Sequence, residues 1–433
     1  MSGYLDRVQA QLTELTEQGA HQRPEGASRG AVRSPRRGTG RRTRPGGPRP
    51  PRRRSSEALA LLAAAAVVAA VVGIVLANVH HNKPGATAAA RRSRTTKPGA
   101  GIPAPPTQSE TSPPPLPARF APQSFTAIGE LTWWVLGPGN CPSCGVILRT
   151  TNGGQSFVAL GAPHASLSAR GSNQSGYSEL RFADSKNGFA YDPDLYATHD
   201  GGQTWHAVEV GGTVSNLATS SGQVYATVEP GSGGSGRLMR SPASSDDWST
   251  LSTAGAVAAG LWVLGPQIIV QSGIGTGVGG NVLISQDAGA SFTAHPAPSP
   301  GLPCQLAAPE TPVVWAHCAT GTESGVWRST DGGANFTIAA GTGTSLQLPG
   351  SAAFAAASAT TAVVGYQQLY RTTNTGALWD TVQVPGISQW AWLGFTDTTH
   401  GAGLGYAGSI APANERLYYT TDAGQSYHRI PLP

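Results

Sequence analysis

Among ten histidines the sequence has no His-x-x-x-His pair, and it has only four cysteines. The first absence removes the usual spacing of a helix-borne zinc site, so no metal and no other cofactor are expected. Basic residues are scarce where folding is possible. Residues 121–433 hold ten Lys/Arg against eighteen Asp/Glu, a net charge of −8. The chain's formal +5 and its pI near 9.1 come from elsewhere. Residues 1–56 hold thirteen Lys/Arg against four Asp/Glu, and residues 80–120 hold six against one. The basic residues therefore sit in segments without a core, and no nucleic acid is expected as a partner of the acidic folded part.

Charged and polar side chains are absent altogether from Leu59 to Ala77. Nineteen helical residues span about 28 Å, the thickness of a bilayer's hydrocarbon core. The competing reading is a cleaved signal peptide, whose apolar core is about 7–15 residues and whose basic flank is brief. Here 56 residues precede the run, which favours a retained anchor over residues 57–79. Nine arginines between Arg36 and Arg54 lie just before it, against Lys83, Arg91, Arg92, Arg94 and Lys97 beyond it. The positive-inside rule then places the N-terminus in the cytoplasm and everything after the span outside it, at the cell membrane. Residues 1–56 read as a cytoplasmic tail. Leu5, Val8, Leu12 and Leu15 give its start a short amphipathic helix pattern. The rest lacks large apolar residues, so it stays disordered and rests on anionic lipid. Residues 80–122 contain ten prolines and read as a spacer.

From residue 123 to the end the composition turns to Gly, Ser, Thr, β-branched and aromatic residues. An eight-residue pattern recurs there: TTNGGQSF from Thr150, THDGGQTW from Thr198, SQDAGASF from Ser285, STDGGANF from Ser329, TTNTGALW from Thr372 and TTDAGQSY from Thr420. A degenerate seventh copy, SPASSDDW from Ser241, keeps only its leading Ser and final Trp. Copies follow one another every 43–48 residues, the size of one four-stranded propeller blade. An Asx side chain can close a turn by accepting backbone N–H groups ahead of it, and a glycine two residues later permits positive φ. Strand-like runs such as VILRT and GVWRS lie upstream, and runs such as FVAL and FTIA lie downstream. Each copy should join the third and fourth strands of a blade, its aromatic packing back against that blade. The expected fold is all-β, a seven-bladed propeller of four-stranded antiparallel blades.

The pattern S/T-x-D/N-x-G-x-S/T-aromatic resembles the Asp-box (BNR) repeat of sialidases, sortilin-type receptors and photosystem II assembly factor-like propellers. LRFADSKNGFAYD from Leu180 and LGFTDTTHGAGLGY from Leu393 resemble first and second blade strands of the assembly-factor-like group. The resemblance covers residues 124–433 and implies architecture more than activity, because that family contains enzymes, receptors and assembly chaperones. Asn152, Asp200, Asp287, Asp331, Asn374 and Asp422 are then structural turn closers. Arg149, Arg240, Arg328 and Arg371, recurring just ahead of the motif, are part of the repeat. A sialidase-like glycoside hydrolase is the alternative. It would need three arginines converging on a carboxylate and an early Phe-Arg-Ile-Pro strand, and the sequence has no such strand. The expected function is a non-enzymatic binding or assembly-factor-like module for an extracytoplasmic protein or envelope glycan.

Outside the cytoplasm an even cysteine count favours disulfides. Cys141–Cys144 reads as a loop clamp in blade one, and Cys304–Cys318 as a bridge between neighbouring strands of blade five. The longest and most variable connections, such as Gly161–Glu179 and Tyr406–Arg416, should share the face opposite the boxes, where binding usually resides. Candidate binding residues there are His164, Arg170, Tyr177, Asp192, Asp194, Arg237, Trp390, Glu415 and Arg416. Trp133, Trp134, Trp262 and Trp315 are expected in second strands, as core between blades. No strand is left over to close the ring, so closure is expected from Trp133 or Trp134 against Trp392 and Phe395.

Overall fold

A computed structural model describes residues 117–433, apart from 142, 171, 173, 232–234, 254–256, 273–279, 300–301, 320–322, 342–345 and 350–351. The tail, the apolar run at 59–77, most of the spacer and most of the Gly273–Asn281 loop lie outside the described residues. Among the described residues no helix is long and apolar enough to cross a membrane.

Seven antiparallel sheets follow one another along the chain, each pairing its strands in sequence order. The first strands of blades one to seven are Ser124–Ala127, Glu179–Phe182, Thr213–Ser220, Val257–Leu264, Cys304–Glu310, Ala353–Ala356 and Gln389–Phe395. Every blade contains its own four strands. Blade five adds a short fifth, Leu348–Pro349, paired with Glu323–Ser329.

Packing follows from the two-residue period of a strand, which sends successive side chains to opposite faces. In blade one's second strand (Trp133–Pro138), Trp133 faces blade seven and stacks near Tyr419, with ring centroids 4.3 Å apart. Trp134, one residue on, faces blade two and lies parallel to Phe182 at 3.9 Å. The buried apolar side chains accordingly form seven clusters, one in each seam between adjacent blades. Stability is shared among seams rather than vested in one central core. Trp315 is a second-strand core residue as expected, but Trp262 lies in the first strand of blade four. As the first strand of its sheet lies innermost, Trp262 lines the central channel rather than a seam core.

The recurring motif occupies the turn between third and fourth strands. In blade two the Thr198 hydroxyl donates to Asp200 Oδ1 at 2.8 Å and accepts the Gly202 N–H at 3.0 Å. Asp200 Oδ1 also accepts the Thr204 N–H, and Oδ2 the Thr204 hydroxyl. Ser285, Ser329 and Thr420 with their acids repeat this network, and Asn152 and Asn374 reproduce it with an amide oxygen. The motif glycine has positive φ, as at Gly154 with φ 82°, where a Cβ would also press into Trp133 at 2.6 Å. The residue before it is left-handed too, even when it is Ala288, Thr375 or Ala423. The motif's aromatic packs on its own blade, as Trp205 on Phe182 and Tyr427 on Trp390, and also reaches the preceding one. Trp205 donates from Nε1 to the Gly161 carbonyl of blade one at 3.1 Å, and Trp379 likewise reaches Ala339 of blade five. Each turn therefore fastens its blade to the preceding one.

These hydrogen bonds hold the turn carboxylates below their ordinary range. At Asp287 the Ser291 hydroxyl, then the Ser291 N–H and the Ser285 hydroxyl, bring the pKa down to about 2. At Asp331, Asn335 and Ser329 do the same. A depressed folded-state pKa contributes stability that is present above about pH 4, the unfolded value, and is lost as pH falls towards 2. The D287N/D331N variant should keep the turns, as Asn152 and Asn374 do, and should lose stability less steeply than the parent between pH 4 and 2. Equal slopes in acid-dependent urea melts would refute this linkage.

Both disulfides form as expected. Cys141–Cys144 clamps the loop between second and third strands of blade one, and Cys304–Cys318 joins directly paired residues of blade five, with Cα atoms 4.1 Å apart. Ring closure is partly as expected. Phe125, Trp133, Leu404, Leu417 and Tyr419 share one cluster with Trp392 at its edge. Two expectations need correction. Trp134 belongs to the seam with blade two, and Phe395 to the seam with blade six. The terminal segments also meet. The Phe120 N–H donates to the Pro433 carbonyl at 3.0 Å, with Phe120 buried and Leu432 against the same cluster.

Candidate functional site

Two concave places stand out, on opposite faces. The first is a cavity of about 310 Å³ on the face of the variable loops, at the seam between blades seven and one. Arg170, Trp390 and Glu415, three of the candidates, line it together with Gln123, Tyr406 and Ile410. Arg170 comes from the long connection between blades one and two. Its Nη2 lies 2.8 Å from Glu415 Oε1 in blade seven, and its Nε 3.7 Å from Glu179 Oε1 in blade two. The same guanidinium donates to the Gln123 carbonyl ahead of blade one. Glu179 is held on its other oxygen by the Ser124 hydroxyl at 2.8 Å. Burial pushes the Glu415 carboxyl up, while Arg170 pulls against that shift. Burial disfavours the Arg170 charge, but Glu415 and Glu179 more than offset it and raise its pKa. One arginine thus joins three blades through two carboxylates.

The other candidates are dispersed. Tyr177 is fully buried in the seam between blades one and two, and burial pushes its phenol up. Asp192 is buried and accepts the Ser178 hydroxyl at 2.7 Å, while Asp194 accepts the Gly176 N–H at 2.7 Å. Trp390, at the wall of the first cavity, is buried between Tyr418 and Tyr427. Arg237 donates to the Gly211 carbonyl and Arg416 to the Ala413 carbonyl. His164 is exposed. His164, Arg170, Tyr177, Asp192 and Asp194 lie in connections, whereas Arg237, Trp390, Glu415 and Arg416 lie near strand ends. The sequence pattern could not show that most of their side chains turn inward, because loop contacts are made between blades.

The second place is a cavity of about 250 Å³ in the central channel, lined by first-strand residues of all seven blades. They include Phe125, Thr219, Trp262, Gln305, Phe354 and Trp392, and they lie towards the ends nearest the boxes. Arg181 alone among the lining residues is charged, and no carboxylate lines the cavity. Sequence reasoning singled out none of these as binding residues. Their one legible signal was that first strands face the axis.

The recurring arginines behave as part of the repeat. Arg240 donates to the Ala288 carbonyl, Arg328 to Ala359 and Arg371 to Ala423, each in the next blade. Arg149 lies over the Trp134 ring at 5.4 Å.

The BNR/Asp-box repeat family matches residues 196–207, the third strand and turn of blade two. The chain is a seven-bladed β-propeller with an Asp-box repeat in its second blade. No curated protein matches it in sequence. Among solved structures, YCF48 bound to D1 peptide is 16% identical over 71% of this chain and 94% of that one, with a TM-score of 0.47. YCF48 from Cyanidioschyzon merolae is 14% identical over 73% and 99%, also at 0.47. A puromycin-hydrolyzing peptidase of Mycobacterium tuberculosis is 10% identical with a TM-score of 0.52, covering 72% of this chain and 52% of its own. At such identities the likeness is one of fold.

Proposed function

We propose that this Asp-box propeller is a membrane-anchored, extracytoplasmic binding module that engages a protein segment at the channel mouth. The observation that carries the reading is the lining of the channel cavity, with its aromatic and small side chains, single cation and lack of carboxylates. Two-carboxylate glycoside hydrolysis needs acids about 5–10 Å apart flanking the bond to be cleaved. Among the described acids that converge, Glu179 and Glu415 are both engaged by Arg170, and Glu130 and Asp397 share His400 away from the channel lining. An apolar cup with one guanidinium instead suits apolar side chains beside a single carboxylate. The anchor at 57–79 and the proline-rich spacer would hold the cup at a set distance from the membrane.

The full-length protein should bind immobilised peptides that carry an acidic residue within an apolar segment. Thr219→Arg, which fills the channel, and Arg181→Gln should abolish that binding. On intact cells, protease should reach residues 121–433 and spare the arginine-rich tail. Release of sugar from envelope glycan, binding indifferent to both substitutions, or a protected propeller would each overturn the corresponding part of the reading.

A further inference from the structure

We propose that His199, His206 and Asp246 form a divalent transition-metal site, of the zinc class, that fastens blade two to blade three on the Asp-box face. One ligand atom from each lies within 4.8 Å of the others. Asp246 Oδ2 is 2.6 Å from His206 Nε2 and 3.6 Å from His199 Nε2. Tetrahedral zinc with bonds of about 2.1 Å keeps its ligand atoms about 3.4 Å apart. The His199–Asp246 pair already has that separation. His206, half-exposed at the start of a two-residue strand, needs to retreat by less than an ångström.

The orientation of His199 carries the argument further. Its Nδ1 lies 2.8 Å from Asn187 Oδ1, an acceptor only, so the ring's proton sits on Nδ1. The amide of Asn187 is itself oriented, because its Nδ2 donates to Asp184 Oδ2 at 2.8 Å. Asp184 is in turn fixed by the N–H groups of Lys186 and Asn187. This carboxylate–amide–imidazole chain leaves the lone pair of His199 on Nε2. That atom is buried without a hydrogen-bond partner and faces Asp246 and His206. Outer-sphere partners of this kind set the tautomer of metal-binding histidines. A lone surface ion pair between His206 and Asp246 would need neither the second imidazole nor its support.

Two departures from the repeat meet at this point. Blades one, three, five and six carry an arginine just before the box, whereas blade two has Ala197 there. The seam from blade two to blade three therefore lacks the contact that Arg240, Arg328 and Arg371 make to the next blade, as do the seams that follow Ile284 of blade four and Tyr419 of blade seven. Blade three has the degenerate motif. Its turn is closed by the Ser241 hydroxyl donating to the Ser245 carbonyl, and its sixth position holds Asp246, where other copies have Gln or Ala. Two imidazoles and a carboxylate suit zinc or a similar first-row ion, and are a poor set for magnesium or calcium.

The test is calorimetric titration of the EDTA-stripped, tag-free full-length protein with ZnCl2, repeated with MgCl2 and with CoCl2 monitored in the visible. One zinc per chain should bind at neutral pH, magnesium should not, and cobalt should give d–d bands of a four-coordinate N/O site. His206→Ala and Asp246→Ala should each weaken zinc binding at least tenfold, and Asn187→Ala by about 10–100-fold through loss of ring support. Zinc should raise the melting temperature of the parent and not of H206A. His400→Ala, in a separate His–carboxylate cluster with Asp397 and Glu130, should leave the titration unchanged. His206 and Asp246 are exposed, so these variants should fold even if His199→Ala does not. A dissociation constant above about 1 mM, or equal zinc binding by H206A and the parent, overturns the proposal.

Discussion

Replacing Arg170 by methionine should destabilise the propeller by about 3–5 kcal/mol, the usual cost of removing one partner from a buried ion pair. Arg170 is the only cation that Glu179 and Glu415 face in the described salt bridges, and all three side chains are nearly buried. Without it, two carboxylates remain close together in a desolvated seam. The loss should be pH-dependent. Burial already raises the Glu415 pKa, and removing Arg170 takes away the opposing attraction. A raised folded-state pKa means stability that is present below the unfolded carboxyl value and is lost as pH rises through the folded one. The penalty of Arg170→Met should therefore be smallest near pH 4 and grow towards neutrality. The triple variant R170M/E179Q/E415L, which removes the orphaned charges, should recover much of the loss. Urea titrations at several pH values decide the matter. A neutral-pH cost under about 1 kcal/mol would show that the triad is not a clasp.

The second large effect is expected at ring closure. Trp133→Ala should cost about 3–5 kcal/mol, as for other large aromatics removed from cores. Trp133 is fully buried between Phe125, with ring centroids 5.8 Å apart, and Tyr419 in blade seven. It is also the ring against which Gly154 of the blade-one turn packs. Trp392→Ala should cost clearly less, because Trp392 is partly exposed at the edge of the same cluster and touches blade one chiefly through Phe125 at 6.0 Å. A larger loss at Trp392 than at Trp133 in paired thermal melts would put the closing contact at the channel rather than in the seam.

Some expectations from residues alone held because the forces behind them are local. The third residue of each box accepts hydrogen bonds from groups within four positions of it, so the turn is written in eight consecutive residues. Six such turns and one degenerate copy at near-constant spacing left little freedom for the count of blades. Cys304 and Cys318 fell opposite one another because a hairpin fixes register once its turn is placed. The aromatic of each box was assigned to its own blade, and its further contact with the preceding blade was not foreseen. A strand's alternation says that a side chain leaves the sheet on one face or the other, and does not say which neighbour waits there.

The sequence by itself determined the number of blades, the position and chemistry of their turns, and the segregation of basic residues away from the acidic propeller. Those properties rest on short-range periodicity and composition, which survive without knowledge of what touches what. Only the tertiary structure decided which residues act together. Arg170 meets Glu415 across 245 positions because ring closure brings blade seven beside blade one. His206 meets Asp246 across 40 positions because two successive turns project into one seam. The channel cup gathers one or a few residues from each of seven first strands. In a propeller, the contacts that could do chemistry run between blades, perpendicular to the direction in which the sequence repeats.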